Sequence, residues 1–276
     1  MSVRSIVRQI LPPSVRSLVL QIIPPSVRRI VPDGVRRTPP LTWSVPGALV
    51  SANVAAREPA TNRLATFFEQ RKTGPGIFKW RQYFDAYERH FHPFVGREAH
   101  VLEIGVYSGG SIDMWRDYFG PRAHLYGIDI EPVCKSYEKD RTRIFIGDQA
   151  DRAFWREFRH QVPQIDILID DGGHTAEQQI TTLEEMLPHL SMGGVYLCED
   201  LHSESHFGEL AARLANRLNS FALLNGTTNV AAQADNIQSA IHSVHFYPFA
   251  IVIEKNQSPI ECFTAPKHGT EWQAFL

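Results

Sequence analysis

The sequence predicts an α/β fold: a Rossmann-like, mostly parallel sheet with a C-terminal antiparallel hairpin and an N-terminal helical extension. Three observations carry this expectation. Over residues 101–200, five apolar runs each end in glycine or acidic residues. Segments of helical spacing alternate with them, the βαβ order that builds a parallel sheet with right-handed crossovers. The tail breaks that order, because the apolar runs 242–247 and 249–254 are separated only by Pro248.

The 276 residues suit one good-sized domain plus an appendage. Residues 1–38 form a repetitive, basic, amphipathic arm: SVRSIVRQILPP is followed by SVRSLVLQIIPP and then SVRRIVPDG. Each unit opens on a serine that can cap a helix and closes on a proline that stops one. Val3, Ile6, Val7, Ile10 and Leu11 share one helical face, Arg4 and Arg8 lie on another, and Asp33 is the first acid. Three readings stay open: an arm lying on an anionic membrane surface, an arginine-rich transit peptide, or an extension packed on a partner. Residues 39–60 read as a linker and 61–99 as a helical N-terminal region, whose many aromatic residues suit a core, some of them roofing a ligand site.

The main domain spans 100–256, with a C-terminal tail over 257–276. Strands are expected at 101–105, 124–129, 143–147, 165–170 and 194–199. Helices are expected near 110–119, 131–139, 151–161, 175–189 and 206–221. With 43% hydrophobic residues the chain can bury a sizeable core, and its formal net charge of -2 gives no bias toward nucleic acid. Cys134, Cys198 and Cys262 are scattered, which fits a reducing, cytoplasmic compartment better than a disulfide scaffold. No apolar run reaches bilayer length, and prolines and arginines interrupt any secretory signal.

Parallel sheets bind ligands along the edge where their strands end. The first strand runs into Glu103-Ile-Gly105-Val-Tyr107-Ser-Gly109-Gly110. Tyr107 stands where a dinucleotide fingerprint needs its second glycine, and no P-loop run exists. The glycines still permit a tight turn into a helix at Ser111. Asp129 closes the second strand, where a carboxylate can accept from both hydroxyls of a ribose. Asp148 closes the third and could hold an exocyclic amine. Each acid singly also suits a helix N-cap; all three features at successive strand ends point to a cofactor with a ribose and a base. Here the chain resembles the class I S-adenosylmethionine-dependent methyltransferases over about residues 75–256. The resemblance places Glu103 near the methionine end, Asp129 on the ribose and Asp148 at the adenine. Gly105, Tyr107, Ser111, Gln149 and Asp170 complete the expected cofactor-binding set.

The fourth strand ends Ile169-Asp170-Asp171-Gly172-Gly173-His174, and the fifth ends Cys198-Glu199-Asp200-Leu201-His202. Neighbouring parallel strands deliver Asp171, Glu199 and Asp200 to one edge, where three carboxylates repel unless a cation lies between them. An all-oxygen set suits Mg²⁺ or Mn²⁺. His174, three residues past Asp171, suits a general base that takes a proton from a substrate hydroxyl. Asp-Asp-Gly can also be a plain turn, and Glu-Asp can cap the next helix. His202 and His206 are weaker candidates for substrate contact, and His242 and His245 read as ordinary strand residues.

These runs resemble the metal-dependent sugar O-methyltransferases of macrolide and glycan tailoring, and much of the pattern is shared with cephalosporin hydroxylase-like proteins. The segment around Lys79 and Trp80 bears a looser likeness. The resemblance implies Asp171, Glu199 and Asp200 as metal ligands and His174 as catalytic base. It implies S-adenosyl-L-methionine and Mg²⁺ (or Mn²⁺) as cofactors, and a sugar hydroxyl of a glycan, glycolipid or glycosylated natural product as acceptor. Another vicinal diol such as a catechol, or a non-catalytic scaffold of the same fold, are the alternatives. Relatives of this type often assemble, which leaves a homo-oligomer open, and no nucleic acid partner is expected.

Overall fold

The computed structural model describes residues 62–202, 206–220, 230–266 and 268–271. The chain divides into units of residues 1–58 and 59–276, and every described residue belongs to the second. The repetitive arm and nearly all of the linker expected from the sequence thus lie outside the described residues.

In chain order the elements are α1 (Arg63–Gln70), α2 (Tyr83–Phe91), β1 (His100–Ile104), α3 (Gly110–Phe119), β2 (His124–Asp129), β3 (Thr142–Ile146) and α4 (Arg152–Gln161). They continue with β4 (Ile165–Asp170), α5 (Ala176–Met186), β5 (Leu190–Cys198), α6 (His206–Leu218), β6 (Val230–Gln233), α7 (Asn236–Ala240), β7 (Ile241–Tyr247), β8 (Ala250–Lys255) and β9 (Cys262–Ala265). Seven strands form one sheet in the order β3-β2-β1-β4-β5-β8-β7. β1 to β5 pair in parallel, and β8 joins β5 antiparallel. The chain winds outward through β2 and β3, then returns to β4 beside β1. That reversal opens a crevice at the ends of β1 and β4, the usual ligand position in such sheets.

Strand alternation assigns each side chain to a layer. Val101, Leu125, Ile167, Ile169, Val195, Leu197 and Val252 face one way, against Tyr83, Phe84 and Tyr87 of α2 and Trp115 and Phe119 of α3. Leu102, Ile104, Leu168, Tyr196, Cys198 and Ile253 face the other, against Trp155 and Phe158 of α4 and Met186 of α5. This two-sided burial is what makes the strands read as continuous apolar runs.

Several expectations are corrected. The helical region expected over 61–99 breaks at 71–82, where Gly74, Pro75 and Gly76 cannot continue a helix. The helix expected at 131–139 is a 3-10 turn over Pro132–Tyr137. The C-terminal hairpin closes one edge of the sheet, as expected, with β8 paired to β5 and β7 outermost. Within the tail, β9 pairs antiparallel with β6 in a separate two-stranded sheet. Among the described residues, no helix is long and apolar enough to cross a membrane.

A polar network fastens α2 to the sheet edge. His90 Nδ1 lies 2.7 Å from Glu254 Oε1, and His90 Nε2 lies 2.8 Å from Tyr247 Oη. An ionised carboxylate only accepts, so Nδ1 carries the donated proton. His245 meets the same Glu254 at 3.4 Å and Ser243 at 2.9 Å. The His90 hydrogen bond, helped by Ser243, pulls Glu254 down to about 2 against the upward push of burial. A depressed folded-state value stabilises the protein above pH 4.5, the ordinary glutamate value. Glu254→Gln is therefore expected to cost about 1 kcal/mol at neutral pH in urea denaturation. The deficit should shrink as pH falls from 4.5 toward about 2. A deficit that stays constant over that range would contradict this role for the carboxylate.

Candidate active site

The ends of β1 and β4 are stitched together at the crevice. Asp171 N donates to Ile104 O at 3.1 Å. Gly105 has φ +91°, and a Cβ there would lie 2.0 Å from the carbonyl oxygen of Asp171. Glycine is required on both counts. Beside this crossing lies a cavity of about 570 Å³, whose wall includes Gly105, Tyr107, Ser111, Asp129, Asp148, Gln149, Asp171, His174 and Asp200.

Asp129 is held by two backbone amides: Tyr107 N donates to Oδ2 and Glu131 N to Oδ1, each at 2.9 Å. Its plane is thereby fixed, and each oxygen keeps lone-pair capacity for a ligand. Asp148 is anchored through Oδ1 by Ala150 N at 2.8 Å. Ile128 and Ile130, flanking Asp129 in the chain, add apolar wall. The cavity is thus apolar with a few fixed acceptors, the usual composition of a small-molecule site.

The second constellation is Asp171, His174 and Asp200, each offering an atom within 4.8 Å of the others. His174 Nε2 stands 3.9 Å from Asp171 Oδ1 and 3.7 Å from Asp200 Oδ2. His174 Nδ1 is buried and has no hydrogen-bond partner among the described residues. Carboxylate oxygens with one adjacent imidazole suit a hard divalent cation such as Mg²⁺ or Mn²⁺.

Lys79, from the segment between α1 and α2, is the main electrostatic partner here. Its ammonium lies 2.6 Å from Asp171, 3.1 Å from Glu199 and 3.5 Å from Glu103. Burial alone would lower the Lys79 pKa, but these carboxylates outweigh it and raise it well above the ordinary value. Burial also pushes Glu199 upward, opposed by the attraction of Lys79 and a 2.6 Å hydrogen bond from Tyr87. An ammonium at 3.1 Å stabilises the ionised carboxylate, so we read the two as an ion pair.

The structure divides the residues expected to bind ligands into two layers. Gly105, Tyr107, Ser111, Asp129, Asp148, Gln149, Asp171, His174 and Asp200 line the cavity. Glu103, Asp170 and Glu199 are each 1% exposed and form its floor. Glu103 accepts from Ser111 and Trp115, and burial raises its pKa. Asp170 accepts from Gln149 and Tyr196, and burial raises it too. Glu199 is engaged by Lys79 and Tyr87 instead of joining the Asp171–His174–Asp200 group. Gln149 lines the wall, but its side chain is committed to Asp170, Thr182 and Gly173 N. Strand alternation explains this: Glu103 and Glu199 point into the α2–α3 layer and Asp170 into the other. His202 and His206 are not among the cavity-lining residues.

Lys79 was visible in the sequence only as part of a loosely similar segment. Its hydrogen-bonded carboxylates, Asp171 and Glu199, lie more than ninety positions away and leave no local signal. Backbone strain adds another sign of function. Among the described residues, five non-glycine residues have positive φ, and four of these sit in or next to the site: Tyr107, His174, Asp200 and Phe249. Such conformations persist where surrounding structure over-determines them, and they cluster at functional sites.

Comparison with known proteins agrees with this geometry. Residues 102–201 match a family model described as a methyltransferase domain. The 8-demethyl-8-alpha-L-rhamnosyl tetracenomycin-C 2'-O-methyltransferase of Streptomyces olivaceus is 38% identical over 46% of this chain and 36% of its own length. The demethylmacrocin O-methyltransferase of Streptomyces fradiae is 35% identical over 56% of this chain and 39% of its own. The chain thus spans well under two thirds of these relatives' length. The MycE methyltransferase of the mycinamycin biosynthetic pathway, solved with Mg, SAH and mycinamycin VI, superposes with a TM-score of 0.57 at 26% identity, covering 72% of this chain and 54% of that one. The fold is the class I methyltransferase fold.

Removing the buried ammonium would leave carboxylates facing one another. Lys79→Met is expected to destabilise the protein by about 3 kcal/mol or more, read from urea midpoints. A loss below about 0.5 kcal/mol, the range of ordinary surface substitutions, would contradict the buried ion-pair account.

Proposed function

We propose, from the methyltransferase domain at residues 102–201 and the acidic site at its sheet edge, that this chain transfers a methyl group from S-adenosyl-L-methionine to a sugar hydroxyl with the help of Mg²⁺. The observation that carries the reading is one cavity wall holding both Asp129–Asp148 and Asp171–His174–Asp200. Support comes from the relatives, named as O-methyltransferases of rhamnosyl tetracenomycin and demethylmacrocin. The MycE complex likewise holds Mg and SAH.

When bound, the sulfonium donor supplies the methyl group and the divalent cation makes the acceptor hydroxyl more acidic. The chain's own work is positioning and proton handling. Asp129, held rigid by the Tyr107 and Glu131 amides, would accept from the ribose hydroxyls. Asp148 would accept from the adenine amine. Gly105 lets the backbone approach closely, and Ser111, locked onto Glu103 at 2.6 Å, shapes the wall near the methionine end. Asp171 and Asp200 would hold the cation, with Glu199 behind them sharing the Lys79 ammonium.

His174 takes the acceptor proton through Nε2, the nitrogen that faces both carboxylates. Those carboxylates lie where imidazolium charge develops during the step. Its backbone is left-handed, φ +57°, in the short turn between β4 and α5 that places it on the cavity wall.

Incubation with labelled S-adenosyl-L-methionine, Mg²⁺ and a panel of glycosides is expected to yield a labelled, O-methylated sugar. His174→Ala should lower turnover about 10²–10⁴-fold, while calorimetric binding of the donor is retained. Parallel loss of donor binding would make His174 structural. Absence of label from every glycoside would count against sugar methylation.

A further inference from the structure

An aromatic pair stands beside the acidic cluster and is not used by the chemistry above. Trp80 and Phe249 pack with ring centroids 5.2 Å apart, yet each remains 48% exposed. Phe78, in the same segment as Trp80, is 82% exposed and lines the main cavity. Other rings of the domain are exposed too, Phe246 and Phe263 among them, but these three are joined by chain and ring contact beside the cavity that Phe78 lines.

The backbone under Phe249 is the second observation. β7 and β8 are joined through Pro248 and Phe249, with Tyr247 paired to Ala250. Proline holds its own φ negative, so the positive φ of the turn falls on Phe249, at +64°. Glycine or asparagine is the normal occupant of that position. A bulky ring there is a poor choice for the turn, and half its surface gains nothing from burial. The conformation is pinned all the same. Phe249 O accepts from Leu201 N at 2.9 Å and lies 3.1 Å from Tyr83 Oη. That phenol also donates to Asp200 Oδ1 at 2.8 Å and accepts from Asp200 N at 3.1 Å. The ring is thus tied through one hydroxyl to a carboxylate of the acidic cluster. Trp80 is tied through its neighbour Lys79, which bonds Asp171 at 2.6 Å.

We infer that Phe78, Trp80 and Phe249 form an aromatic platform that binds the apolar aglycone of a glycoside acceptor, while the reacting sugar sits at Asp171, His174 and Asp200. This rests on the sugar-methylation reading and deepens it. A sugar whose hydroxyl reaches His174 directs its glycosidic substituent outward, across the rim. Open aromatic faces favour an apolar or planar group over water. The strained turn then has a physical purpose, since it holds a ring where glycine would leave a gap.

The test compares methyl α-L-rhamnopyranoside with 4-nitrophenyl α-L-rhamnopyranoside as acceptors for the full chain. The aryl glycoside is expected to show a KM about tenfold lower than the methyl glycoside. In Trp80→Ala and in Phe249→Gly that ratio should fall toward one, whereas Phe249→Tyr should keep it. Phe249→Gly also relaxes the left-handed backbone, so its melting temperature should not fall. A ring serving only to pack would give the reverse: a lower melting temperature with the aryl preference intact. Turnover of both glycosides with no aryl preference, or a preference unaltered in both variants, overturns the platform alone. Turnover of neither, nor of any other methyl or aryl glycoside in the panel, overturns the sugar-methylation reading, and the platform with it.

Discussion

One buried ammonium holds the site together. Lys79 lies within 3.5 Å of carboxylate oxygens from Glu103, Asp171 and Glu199, which come from three adjacent strands of the sheet or their ends. Without a cation at that point, the ends of β1, β4 and β5 would carry mutually repelling charges in a poorly solvated floor. With it, the floor is closed electrostatically, and the segment between α1 and α2 is drawn across the sheet edge. The same anchor places Phe78 and Trp80, its chain neighbours, at the entrance. The Glu103–Ser111 end of the cavity and its acidic end, through Asp171, are therefore joined by one side chain.

Above that floor, the functional wall is built from backbone that local preference would not choose. Tyr107, His174, Asp200 and Phe249 all have positive φ, and Gly105 occupies the one place where the β1 and β4 turns nearly touch. Parallel strands make this arrangement economical. Each strand end arrives at the same edge, so short turns suffice to present an acid, an amide or an imidazole to the crevice. Rigidity comes from the two packed layers on either side of the sheet, not from the turns themselves.

Much of this was legible in the sequence, for reasons that can be named. Apolar runs buried on both faces, bounded by glycine and acids, mark the parallel strands, and Pro248 between two such runs marks the hairpin. Asp148, Asp171, His174 and Asp200 were legible because they follow strands, and Asp129 because it ends one, with its carboxylate held by the turn amides at the crevice. Glu103 lies within β1, Asp170 ends β4 and Glu199 directly follows β5; strand alternation sets their direction, and all three turn down into the packed layers. Lys79 was obscured because its partners are 92 and 120 residues away. The pairing of β9 with β6 was hidden for the same reason, since nothing local in residues 262–265 specifies a partner some thirty positions earlier.

The account stands or falls on whether Asp171 and Asp200, with His174 beside them, form a divalent-cation site next to the donor pocket. The most direct measurement is an anomalous difference map from crystals grown with Mn²⁺ and S-adenosylhomocysteine. The account predicts a single strong peak between the Asp171 and Asp200 carboxylates, with the nucleoside lying against Asp129 and Asp148. Manganese bound only elsewhere, or this cavity closed to the nucleoside, would contradict it.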